Sequence, residues 1–171
     1  MSREFLPGYA LRLGSGADRA LLVKFLGHTY RELEPDRHFS DVAQMVEQYF
    51  SPETPVWFVE VCDDTTDGSF SEPDGYRPPT PGCEKVACLW LGNSVDRISG
   101  ERYTHILLVY VVPKHRQRGI GSRLVRHAEN QAKQRGDRQI GLQVFANNQP
   151  ALTLYQSCGY EPLSFWMTKS L

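Results

Sequence analysis

The sequence predicts an α/β domain folded around one twisted sheet, and three observations carry that reading. Its 171 residues, 40% of them hydrophobic, suffice for one sizeable core and are few for two. Short strand-like runs and stretches of helical periodicity follow one another in mixed order, with no internal repeat. A buried run ending at Pro113 passes through a basic, glycine-containing turn directly into an amphipathic helix.

Taken in order, Ala10 to Leu13 reads as a first strand, closed by Gly14-Ser15-Gly16. From Ala17 to Leu33 the apolar side chains Leu21, Leu22, Phe25, Leu26, Tyr30 and Leu33 recur at helical spacing, and Glu34-Pro35-Asp36 stops that helix. Ser40 is placed to cap a second helix with Val42, Met45, Val46, Tyr49 and Phe50 on its apolar side, closed by Pro52 and Pro55. Val56 to Val61 is a strand by composition. The stretch Asp63 to Glu84 is rich in Asp, Thr, Ser, Gly and Pro and has no periodicity, so it reads as a hairpin insertion. Whether that insertion has a role or is only a solvated loop is open at this level.

Lys85 to Leu91 and Tyr103 to Val112 follow as strands. Ile120 to Arg135 is a helix, with Ile120, Leu124, Val125, Ala128 and Ala132 on one stripe and Gly136 as its stop. Gln139 to Phe145 is a strand, Gln149 to Ser157 a short helix with Gly159 beyond it, and Ser164 to Ser170 a final strand.

Charge excludes some functions. Nineteen Lys and Arg against twenty Asp and Glu leave a net charge of -1, so nothing global attracts nucleic acid or an anionic membrane. The longest apolar stretch, Ile106 to Val112, is strand-sized and far short of a bilayer span, and the N-terminal residues lack a signal-peptide apolar run. A cytoplasmic location with reduced thiols at Cys62, Cys83, Cys88 and Cys158 is the expectation. The Cys83 to Cys88 spacing fits no zinc motif, and no metal is expected.

The turn after Val112 is the most informative segment. Glycines between a strand and a helix let backbone N–H groups converge on an anion, and the helix start adds roughly half a positive charge. Lys114, Arg116, Arg118 and Arg123 supply a local cationic cluster that suits a diphosphate. A dinucleotide fingerprint would need a third glycine where Leu124 stands, and no Walker A loop is present.

A second constellation lies downstream, where Asn148, Ala151, Leu154, Tyr155, Gly159 and Tyr160 form N-x-x-A-x-x-L-Y-x-x-x-G-Y. With Arg116-Gln117-Arg118-Gly119-Ile120-Gly121 as R-x-x-G-x-G, the chain resembles the GCN5-related N-acetyltransferase family. The resemblance implies a single N-acetyltransferase domain over residues 1–171 that uses acetyl-CoA as co-substrate. It also implies a three-layer fold: a mixed, mostly antiparallel sheet of about seven strands splayed between the fourth and fifth, with four helices. Val109, Tyr110 and Val111 would pair their backbone with the pantetheine arm, and Gln117, Arg118, Gly119, Ile120, Gly121 and Ser122 would wrap the diphosphate, with Arg116 opening that motif.

Catalytic roles follow from the same resemblance. Tyr155 is placed to protonate the departing thiolate, or is a core tyrosine of its helix. Asn148 would hydrogen-bond pantetheine, cap its helix, or do both. Ribosomal-type relatives carry Glu where Gln143 stands, and glutamine is no base. Histone-type relatives carry Glu where His105 stands, making His105 the candidate base beside a reading as an ordinary strand residue or a water relay. The acceptor would be a primary amine, and Tyr30, Glu32, Glu34, Asp36, His38, Phe39 and Tyr49 are candidates to line its pocket or simply solvated helix faces. A non-catalytic acyl-CoA-binding domain and a longer-chain acyl donor are the alternatives, and a homodimer is left open.

Overall fold

The protein is described by a computed structural model that covers residues 5–36, 41–62 and 82–169. Five strands and four α-helices form among those residues. They run β1 (Ala10–Leu13), α1 (Arg19–Leu33), α2 (Val42–Tyr49), β2 (Val56–Cys62), β3 (Cys83–Val95), β4 (Arg102–Val111), α3 (Ile120–Gln134), β5 (Ile140–Leu142) and α4 (Gln149–Ser157). The sheet order is β1-β2-β3-β4-β5, antiparallel except for the parallel pair β4–β5.

Each face of the sheet is covered by helices, giving three layers. On one face Phe25 and Leu26 of α1 and Val46 of α2 pack on Phe58, Trp90, Leu108 and Tyr110. On the other, Ile120, Leu124 and Ala128 of α3 pack on Val59, Leu89, Leu91 and Ile106. The stripe read from the sequence of α3 is the one it buries. Burying each such large apolar side chain is worth about 1.5–3 kcal/mol, far more than helix propensity contributes at one position.

One irregularity positions everything downstream. Trp90 faces Leu108 and Leu91 faces Ile106, so Leu107 is an extra residue in β4, a β-bulge. Its side chain lies over Gly92, where a Cβ would sit 2.8 Å from Leu107 Cδ1. β5 pairs with β4 only from Thr104 to Ile106, and the pairing ends where the bulge begins.

Four expectations need correction. The sheet has five strands among the described residues rather than about seven. Gln139 to Phe145 contributes only Ile140–Leu142, because Gln143 onward departs from β4. Residues 161–169 form no strand, and Leu163, Phe165, Trp166 and Met167 stand exposed; β5, at three residues, is too short an edge to template a longer neighbour. Finally, Cys62 and Cys83 are not free thiols. They oppose each other across β2 and β3, with Cα atoms 4.2 Å apart, and are joined as a disulfide. Of the predicted insertion, Cys83 and Glu84 belong to β3 and residues 63–81 lie outside the described residues.

A buried charge network ties the first strand to the sheet. Arg12 donates from Nε to Glu60 Oε1 at 2.7 Å and from Nη2 to Asp18 Oδ1 at 2.9 Å, and Lys85 Nζ reaches the same Asp18 oxygen at 2.9 Å. Burial pushes Asp18 up, but hydrogen bonds from Arg12 and Lys85 outweigh it and hold the carboxyl well below the usual range. A depressed folded-state pKa means the stabilisation is complete above the unfolded value of about 4 and is lost as pH falls below it. Asp18→Asn should therefore flatten the acid side of a stability–pH curve measured between pH 5 and 2. Removing one partner of a buried pair leaves an uncompensated charge, so Glu60→Ala should lower stability by about 3 kcal/mol. Urea unfolding would register this as a lower midpoint at unchanged slope.

Candidate active site

Where β4 and β5 separate, β4 keeps a backbone edge that no strand covers among the described residues. Val112 N–H donates to Val86 O at 2.9 Å, and antiparallel alternation then directs the backbone groups of Tyr110 and Leu108 to β3 as well. Val109 and Val111 face the other way, into the gap. The carbonyl of Val111 accepts from Arg116 Nε at 2.8 Å, which confirms that it points away from β3. Of the three residues expected to bind pantetheine, Val109 and Val111 turn their backbone edges away from β3, with the Val111 carbonyl already taken by Arg116, and Tyr110 presents its ring to the α1–α2 core. That ring packs on Phe25 at 5.0 Å, and its hydroxyl meets His28 Nδ1 at 3.3 Å.

The gap runs directly into the predicted phosphate loop. Pro113–His115 makes a single 3-10 turn, Arg116 is extended, and Gln117 and Gly119 take φ of 62° and 79°. A glycine meets the second value without strain, whereas Gln117 sits in a region costly for a residue with a Cβ. These dihedrals turn the chain so that Gly119 caps α3 and the amides of Ile120, Gly121 and Ser122 emerge as first-turn donors without intrahelical partners. Anions bind where such donors converge.

The loop's cations divide into two groups. Arg116 is committed: its Nη2 holds both carboxylate oxygens of Glu32 at 2.8 and 2.9 Å, and its guanidinium lies 5.7 Å from the centre of the Tyr110 ring. It fastens the loop to α1. Lys114, Arg118 and Arg123 pair with no carboxylate among the described residues, which leaves net positive charge at the mouth of the gap. Tyr9, a residue the sequence reading did not single out, bonds through its hydroxyl to Arg118 Nη1 at 3.0 Å and to His115 Nδ1 at 2.9 Å. No local pattern marks Tyr9; it reaches the loop only through the fold of β1 against β2.

The second motif packs against the first. A Cβ on Gly121 would stand 3.1 Å from Leu154 Cδ2, so the bare backbone of α3 is what lets α4 approach. Asn148 caps α4 by accepting from Ala151 N–H at 3.2 Å, and Asn147 Nδ2 bonds Leu33 O at 3.3 Å. Gly159 at φ 88° ends α4, with its N–H on Gln156 O and that of Tyr160 on Tyr155 O, both at 3.0 Å. The motif's Asn, Leu, Gly and Tyr thus each have a structural job.

Tyr155 packs 5.8 Å from Tyr160, and burial, reinforced by Cys158, pushes its phenol up to about 12. It holds its proton firmly at neutral pH. His105 lies on β4 between Gly92 and Gly141, one residue before the strands part. Tyr103 and Leu107 fill the space above those glycines on either side. Its Nδ1 is buried without a hydrogen-bond partner among the described residues, and burial lowers its pKa below the ordinary imidazole value. A neutral ring follows at pH 7. His105 stands on β4 next to Leu107, which packs on the α1–α2 core, whereas Tyr155 packs on Tyr160, which sits against the α3 core. Among the pocket candidates, Glu32 is engaged with Arg116, Tyr30 reaches Met45 Sδ at 3.8 Å, Tyr49 is exposed, and His38 and Phe39 lie outside the described residues.

A parallel strand pair that separates beside a helix start with free first-turn amides defines the class of α/β fold, and comparison with known proteins gives its family. The model of the acetyltransferase (GNAT) family matches residues 28–160, well over half the sequence, and the chain belongs to that family. An uncharacterized N-acetyltransferase of Methanocaldococcus jannaschii is 35% identical over 74 residues, 43% of this chain and 31% of that protein, so this chain spans about a third of its relative. A Pyrococcus furiosus protein assigned as an acetyl transferase superposes with a TM-score of 0.69 at 22% identity, over 95% of this chain and 99% of its own. An acetyltransferase of Clostridium acetobutylicum, assigned by prediction and solved with acetyl-CoA, gives 0.68 at 17% identity, over 95% and 96%. At these identities the structural matches speak for the fold.

The contact between the motifs makes a test. Gly121→Ala should be nearly neutral, since helix propensity of up to about 1 kcal/mol offsets mild crowding of Leu154. Gly121→Val should lower stability by about 1–3 kcal/mol through overpacking, read by thermal unfolding, and Leu154→Ala in the same chain should recover part of the loss.

Proposed function

We propose that this chain transfers an acetyl group from acetyl-CoA to a primary amine by direct attack. The observation that carries the reading is the uncovered edge of Val109 and Val111 leading into the amides of Ile120, Gly121 and Ser122. An extended amide-bearing arm followed by a diphosphate matches that sequence of donors and acceptors, as an added strand would. Asn148, although occupied as a cap, keeps its Nδ2 donor for the same arm.

The chemistry follows from the two faces. A neutral amine attacks the thioester carbonyl, and backbone N–H groups of β4 stabilise the oxyanion that forms. Tyr155 donates its proton to the departing thiolate, which a phenol protonated at neutral pH is able to do. His105, whose ring burial keeps neutral, accepts the proton of the attacking amine. Acceptors are cations in solution at pH 7, so a base is needed before attack.

The direct experiment supplies acetyl-CoA and a wide amine panel and follows thiol release. Turnover with at least one amine supports the proposal; tight coenzyme binding with no release across the panel would point to a non-catalytic acyl-CoA-binding domain. Gly119→Val, which forces a β-branched residue to positive φ, should weaken coenzyme binding by about tenfold or more. Tyr155→Phe should lower kcat by about 10²-fold with coenzyme affinity little changed. For His105, activity should fall on the acid side, at a pH below the ordinary imidazole value because burial lowers the pKa, as the ring is protonated. His105→Gln should remove that acid limb from the kcat/KM profile, and an unchanged limb would dismiss His105 as the base.

A further inference from the structure

The hydroxyl of Tyr9 sits at the centre of a three-residue chain that the acetyl-transfer chemistry does not use. Leu6 and Tyr9 pair across a tight turn, with Tyr9 N–H on Leu6 O at 2.8 Å, and this sets the half-buried Tyr9 ring beside the phosphate loop. Arg118 donates from Nη1 to the Tyr9 oxygen at 3.0 Å, and that oxygen is 2.9 Å from His115 Nδ1. The two rings meet edge to face at 5.8 Å.

Arginine only donates, so the Tyr9 oxygen accepts from Arg118, and the same hydroxyl bonds His115 Nδ1. The remaining guanidinium N–H groups of Arg118 are thereby oriented, with the His115 ring beside them. Arg118 is exposed yet held by a tyrosine hydroxyl rather than a carboxylate. That keeps its full charge available, whereas Arg116 one turn away is neutralised by Glu32. Lys114, exposed beside His115, adds to the same field.

Coenzyme A carries two separate anionic groups. Its diphosphate has the amides of α3, on the reading of function above, on which this inference rests. Its ribose 3′-phosphate is a phosphomonoester dianion, which calls for a forked cation and further donors. We propose that Tyr9, His115 and Arg118 form the subsite for that 3′-phosphate, with Tyr9 as the positioning residue that aims Arg118, and that this subsite selects coenzyme A over its 3′-dephospho form.

Calorimetric titration of the full chain with coenzyme A and with 3′-dephospho-coenzyme A tests this without requiring any variant to fold. The wild type should prefer coenzyme A by about tenfold or more, the size of one charge-assisted contact. Arg118→Gln should nearly abolish the preference and Tyr9→Phe should reduce it by about threefold or more, each read as the ratio of the two affinities in the same variant. Equal wild-type affinity for the two ligands overturns the subsite while leaving the coenzyme reading intact. A preference that survives in Arg118→Gln and disappears in Lys114→Ala also overturns it. Failure of the wild type to bind either ligand would overturn the coenzyme reading together with the subsite.

Discussion

Backbone amides and carbonyls that leave a sheet must be matched by something, because an unpaired buried polar group costs as much as a lost hydrogen bond. In this protein the extra residue at Leu107 in β4 and the three-residue length of β5 open such a stretch between two strands that began as neighbours. Everything around it is arranged to keep the stretch open. Gly92 gives Leu107 room, Arg116 takes the Val111 carbonyl, and the turn through Gln117 and Gly119 sends the chain into α3 at the gap's end. The site is a consequence of unfinished strand pairing.

The two faces of the sheet then divide the work. The α1–α2 layer packs the larger aromatic core and brings Glu32 to the loop, while the α3–α4 layer packs tightly enough that a Cβ at Gly121 would crowd Leu154. A phenol that keeps its proton on one side and an imidazole that has shed its charge on the other are both products of burial, with opposite chemical consequences. Burial is the larger cause for the phenol, with Cys158 adding to it, and the cause for the imidazole.

Much of this was legible from spacing. The helical stripe of α3, the αL glycine at 119 and the Asn-capped start of α4 depend on neighbours within one turn, and the sequence displays them. What escaped depends on register. Cys62 and Cys83 are 21 residues apart and become opposite only when β2 and β3 align, so comparing Cys83 with Cys88 looked along the chain where the answer lay across it. Tyr9 meets His115 for the same reason. The reading of Ser164 to Ser170 as a strand rested on its apolar content; its described part finds no edge to join, and such content favours a strand only when a ladder is present.

The Cys62–Cys83 bridge has an effect beyond holding two strands together. It closes the intervening residues into a covalent ring whose ends lie 4.2 Å apart. A protease cutting anywhere inside that ring would leave two fragments that still travel as one molecule, separable only after a reductant is added. The domain can thus be nicked at that site without being divided.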